Sequence, residues 1–142
     1  MSFRDKYIEK ISKETIEYIT CNYNKINKKD MKKGEGLFNN KCQLNAIENI
    51  KNNKAEDIYL CAIFDGPKDT PVIHFINKKD DKFIDNTLGW LYEENEYYLI
   101  RKIKPKEYCQ INLILFYTKE LLLKACSNKF LNKILDVNSS IF

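Results

Sequence analysis

The stretch DIYLCAIFDGPKDTPVIHFINKKDDKFIDNTLGW, residues 57–90, decides the fold. Asp57 to Phe64, Pro71 to Asn77 and Lys82 to Thr87 are rich in β-branched and aromatic residues, and Asp65-Gly66-Pro67 and the polar Lys78 to Asp81 separate them. Connections this short cannot hold a crossover, so successive strands run antiparallel. A fourth run, Tyr97 to Ile103, ends before Pro105. The expectation is a small antiparallel sheet of about four strands.

Upstream, Ser2 to Asp5 resembles a capping box, and Ile8, Ile11, Thr15 and Ile19 recur at helical spacing, which predicts a helix over 3–20. Thr15 to Cys21 also fits a strand. The segment KINKKDMKK, residues 25–33, precedes Gly34 and Gly36 and reads as a solvated linker in preference to a phosphate-binding patch. Asn39 or Asn40 can cap a second helix from about Cys42 to Lys51, with Leu44, Ile47 and Ile50 inward. Downstream, Ile111, Leu115, Leu122 and Cys126 mark a helix apolar on more than one side, and a shorter one follows around Phe130 to Leu135. The class is α+β: one domain over residues 1–142, its sheet packed with N-terminal and C-terminal helices, without internal repeats.

Composition excludes several functions. Cysteines at 21, 42, 61, 109 and 126 are odd in number and form no Cys-x-x-Cys pair, so neither a disulfide framework nor a thiolate metal site is expected. Ile111 to Cys126, the most apolar run, is interrupted by Asn112 and by Thr118-Lys119-Glu120, and the first residues lack the apolar core of a signal peptide. A cytoplasmic chain with no membrane contact is the expectation. The net charge of +4 comes almost wholly from lysine, Arg4 and Arg101 being the two arginines, and no clustered basic face interleaved with aromatics points to DNA.

Two constellations compete for function. Cys42, His74 and Asp85 occur in the order used by papain-like and transglutaminase-like hydrolases, with the cysteine in the first turn of a helix, where the dipole stabilises a thiolate. A four-residue loop at Lys78 to Asp81 would pair residue 77 with 82, set His74 directly opposite Asp85, and allow a hydrogen bond. A lone cysteine near a helix start is more often a small core residue, and no glycine adjoins Cys42 to admit a substrate. The same register places Phe75, Ile84 and Asn86 on the opposite face. Phe75 offers a ring for stacking, Asn86 a donor and an acceptor, and Arg101 on the next strand a fork for phosphate. Together these suit a nucleotide. The bland alternatives are a core phenylalanine, a turn-capping asparagine and an arginine paired with Glu93 or Glu94. Trp90, Tyr92, Tyr97 and Tyr98 read as core or an oligomer contact.

The strings Asn40-Lys-Cys-Gln-Leu-Asn-Ala46, His74-Phe-Ile-Asn77, Asp85-Asn-Thr-Leu-Gly89 and Tyr97-Tyr-Leu-Ile-Arg101 resemble a family of small phage proteins, the Thoeris anti-defence signal sponges. The likeness spans roughly residues 39–104, with Gln43-Leu44 standing where many relatives carry His-Trp. It implies a non-enzymatic, cofactor-free protein of the infected bacterial cell that sequesters a cyclic ADP-ribose or glycocyclic ADP-ribose immune signal intact. It further implies a homo-oligomer, a hexamer built from dimers, with cyclic oligonucleotides as a possible second ligand class. Carried over by position, Phe75, Asn86 and Arg101 are the implied contacts, and Asp85, Thr87 and Leu88 shape the loop. A sponge acts stoichiometrically, so a nanomolar sink requires about −12 kcal/mol per site.

Overall fold

Residues 1–66 and 69–142 are described by a computed structural model; Pro67, in the expected Asp65-Gly66-Pro67 turn, lies outside the described residues. Among the described residues four α-helices, α1 (Phe3–Asn22), α2 (Cys42–Lys51), α3 (Ile111–Cys126) and α4 (Lys129–Ile134), accompany six strands: β1 (Asn24–Lys25), β2 (Met31–Lys33), β3 (Asp57–Phe64), β4 (Val72–Lys79), β5 (Lys82–Asp85) and β6 (Glu96–Ile103). The sheet order is β1-β6-β3-β4-β5-β2. The α+β class stands, but the four-strand antiparallel expectation is corrected: the sheet has six strands and is mixed, because β2 joins β5 in parallel.

The four long strands are those the sequence pattern predicts. The additional two come from the lysine-rich segment expected to be a linker. There Ile26 and Met31 are buried, and two and three residues of backbone respectively extend the sheet at its edges. Short, lysine-bearing edge strands of this kind resist pairing with another chain.

Helix α1 is helical throughout, which removes the strand alternative at Thr15 to Cys21. Its capping box forms as expected: Ser2 Oγ accepts from Asp5 N–H, and Asp5 accepts from Ser2 N–H at 3.1 Å. The apolar stripe Tyr7, Ile11, Ile19 packs with Leu122 of α3 over Ile58, Leu60, Phe75 and Ile103 of the sheet. The sheet's other face carries a smaller core of Ile26, Met31, Cys61, Ile63, Ile76 and Tyr97. Helices therefore cover one face, and the turn-rich segments cover the other. Among the described residues no helix is long and apolar enough to cross a membrane.

The β4–β5 hairpin turns on two residues. Asp80 and Asp81 both have left-handed φ, +51° and +61°, and Lys79 pairs with Lys82. Positive φ at both central positions is the I′ geometry that matches strand twist. The expected four-residue loop is corrected, and with it the register: Ile84 lies opposite Asn77 instead of Phe75. The shift is two residues, so no side chain changes face.

Candidate functional site

Strand β5 ends at Asp85, and the chain then bends away from β4. His74 lies one diagonal step from Asp85 on the same face, within reach in a twisted sheet. His74 Nε2 meets Asp85 Oδ2 at 2.8 Å. Tyr97 from β6 donates its hydroxyl to the same oxygen at 2.6 Å. The second carboxylate oxygen accepts the backbone N–H groups of Thr87 at 3.0 Å and Leu88 at 2.9 Å, the local turn that a short acidic side chain favours. Asp85 is 0% exposed and His74 5%.

Helix α2 packs on β4 and begins at Cys42, which is 8% exposed. The expected cap is corrected: Lys41 occupies the cap position without a side-chain bond, while Asn39 Oδ1 accepts the Lys41 N–H at 3.1 Å. The Asn39 and Asn45 amides pair with each other, and Asn45 Nδ2 donates to Thr87 Oγ1 at 2.8 Å, tying the start of α2 to the loop after Asp85. The Cys42 S–H faces Gln43 Oε1 at 3.5 Å, and the sulfur lies close enough to the imidazole for each to alter the other's titration.

The electrostatics separate this thiol from its neighbour. Burial opposes ionisation of Cys42, but the hydrogen bond and charge of His74 and the Phe75 backbone N–H outweigh it and bring the thiol below its ordinary range. Burial likewise opposes protonation of His74, yet Asp85, through charge and hydrogen bond, and Cys42 lift it from 6.5 to about 10. Asp85 is held below the usual carboxylate range, its burial overcome by His74, by the Tyr97 hydroxyl and by the Leu88 N–H. Cys61, one strand away, goes the other way: burial and the Asp85 charge push it well above the thiol range, and its S–H faces the His74 carbonyl at 3.4 Å. The two buried cysteines are thus shifted in opposite directions, Cys42 down and Cys61 up.

Among the described residues the backbone N–H groups of Cys42, Gln43 and Leu44 have no acceptor. These are the orphan donors of a helix start, placed beside the sulfur and aligned with the positive end of the dipole. Free N–H groups at a helix start can receive negative charge. Their signal was the helix boundary itself. Glycine enters at the strap over Asp85, where a Cβ on Gly34 would lie 2.3 Å from the Asp85 carbonyl oxygen.

The implied ligand contacts are not gathered into one cavity within the chain. Phe75 is 1% exposed, in the core beneath the helices. Asn86 accepts the Glu35 N–H at 3.1 Å through its side-chain oxygen. Arg101 lies on the surface, bonded to Glu107 at 3.0 and 3.2 Å, not to Glu93 or Glu94. Asp85 and Thr87 belong to the buried network, and Leu88 packs on the smaller core. Tyr97, read from sequence as core or contact, is buried and also completes the site. Among the described residues no group of histidine, cysteine and carboxylate side chains could hold a metal ion. Comparison with family models finds no match, and comparisons with curated proteins and with solved structures find no significant match.

Proposed function

We propose that the chain is a cysteine-dependent acyl-transfer enzyme with Cys42 as nucleophile, His74 as proton carrier and Asp85 as the group that orients it. The observation that carries this reading is the buried His74–Asp85 pair, with Nε2 2.8 Å from Oδ2, beside which the thiol at the start of α2 is lowered by the His74 imidazole. The thiolate adds to a substrate carbonyl, and the first-turn N–H groups of α2 receive the developing oxyanion. The imidazolium then protonates the leaving group, and water, deprotonated by the neutral imidazole, releases the acyl group. Gln43, whose oxygen the thiol faces, is the side chain an incoming substrate displaces.

Peptide-resolved alkylation tests this reading. Cys42 should be modified at neutral pH with the pH midpoint of a lowered thiol, while Cys61 stays protected and Cys42 in His74→Ala loses the low midpoint. Equal behaviour of Cys42 with and without His74 would sink it.

A second reading, capture of a cyclic ADP-ribose-type signal between subunits of a homo-oligomer, draws on the surface of α3. Leu113, Phe116, Tyr117 and Leu121 face solvent at helical spacing, an apolar stripe of the kind that associates. Here Arg101 is the available phosphate contact, and Phe75 serves from inside the core. Calorimetric titration with cyclic ADP-ribose isomers, followed by heat release of whatever is bound, separates the two: intact ligand supports capture, and an altered product supports an enzyme.

A further inference from the structure

We propose that Tyr97 is a positioning residue that sets how strongly Asp85 holds His74, and through it the ionisation of Cys42; this rests on the thiol reading above. Two donors converge on one atom. The Tyr97 hydroxyl reaches Asp85 Oδ2 at 2.6 Å and His74 Nε2 reaches it at 2.8 Å, while Oδ1 is occupied by two backbone N–H groups. An oxygen that serves two donors divides its charge between them, so each O–H bond from tyrosine weakens the pull on the imidazole.

The phenol is fixed in this role. Its residue is 0% exposed, and burial, with the Asp85 charge beside it, raises the phenol's pKa, so it stays a donor wherever the carboxylate is ionised. Lys28, from the 3-10 turn before β2, places its ammonium 5.0 Å from the Tyr97 ring centroid and bonds the Tyr92 and Asn95 carbonyls. That cation polarises the hydroxyl toward donation. The titratable groups around the set are His74 from β4, Cys42 from α2, Cys61 from β3 and Lys28, itself flanked by Lys25, Glu93 and Glu96.

The direction follows. Removing the hydroxyl returns the whole of Oδ2 to His74, favours the imidazolium, and lowers the pH at which Cys42 ionises. Removing the Lys28 charge acts in the same direction, more weakly. The thiolate's ultraviolet absorbance, titrated with pH and corrected with Cys42→Ala in each background, reads the midpoint. Tyr97→Phe should lower it by about half a pH unit or more, and Lys28→Met by less. The His74 Nε2–H proton resonance, unambiguous in a chain with one histidine, should move downfield in both. Unmoved midpoints and resonance in folded variants overturn the role of Tyr97 while leaving the thiol reading intact. A wild-type Cys42 midpoint in the ordinary thiol range overturns both. Should Tyr97→Phe fail to fold, Lys28→Met decides.

Discussion

Replacing Asp85 with asparagine exchanges one oxygen for a nitrogen and alters two of the side chain's four interactions. The side-chain oxygen of the amide can keep the Thr87 and Leu88 N–H groups, which the carboxylate accepts at 3.0 and 2.9 Å. The amide nitrogen then stands where Tyr97 and His74 both point donors. His74 must shed its proton and accept at Nε2, and the tyrosine hydroxyl loses its acceptor in a site with no water-exposed atom of Asp85. Removing one partner of a buried ion pair costs about 3–5 kcal/mol. At roughly 3 °C per kcal/mol for a chain of this size, Asp85→Asn should melt about 10–15 °C below the wild type near neutral pH. The pH dependence supplies the sharper test. A His74 raised to about 10 contributes stability that is complete below 6.5 and is lost as pH rises through about 10. In the variant the carboxylate that raises it is gone, burial, the largest influence, is opposed by Cys42 alone, and the histidine pKa falls below its ordinary value. The slope then reverses: this group penalises folding at low pH and the penalty fades as pH rises. Thermal melts by circular dichroism across mildly acid to alkaline buffers read both the gap and the slope. A variant melting within about 2 °C of wild type, with the same slope, would refute the buried pair as a structural and chemical unit.

Phe75→Ala should cost about 3–5 kcal/mol in chemical denaturation, because a core ring is lost, whereas Arg101→Ala should cost under about 1 kcal/mol, its pairing with Glu107 being partly exposed. Gly34→Ala should destabilise by more than about 1 kcal/mol and slow Cys42 alkylation, since the new Cβ meets backbone at Asp85 and either the strap or the acid must shift. Phe116→Glu with Leu121→Glu should leave the fold's circular dichroism unchanged but abolish any self-association seen by sedimentation of the wild type; a wild type that sediments as a monomer removes the stripe as an interface.

Much of the frame was legible because its signals are local. Strand β3 and helix α2 have the predicted limits, Asp57–Phe64 and Cys42–Lys51, since each is a strongly periodic run bounded by polar residues. The hairpin was missed by two residues because Asp80-Asp81 lacks the glycine that usually announces a I′ turn. Parity survived that error, so His74 and Asp85 were placed on one face and Phe75 and Ile84 on the other. What parity cannot tell is which face the helices cover. The Phe75 face is the helix-packed core, so the ring expected to stack on a ligand packs beneath α-helices instead. Ile26 and Met31 went unseen as core because single apolar residues among lysines carry no period, and the strands they anchor are only two and three residues long. Tyr97 could not be assigned to Asp85 because β6 reaches β5 only through the intervening β3 and β4, a placement no local pattern encodes.

The placement of charge in the smaller core is the strongest reason to read chemistry there. That core is built on six buried residues, and into it the fold admits an imidazole and a carboxylate, each of which costs several kcal/mol to desolvate. Well-packed apolar side chains of the same volume would stabilise such a layer at least as well. Every buried side-chain polar atom among the described residues nevertheless finds a partner, so the network is complete and specific. The same network acts on two buried cysteines in opposite directions. Cys61 shows what this interior does to a cysteine that histidine does not serve, and Cys42 shows what the histidine adds.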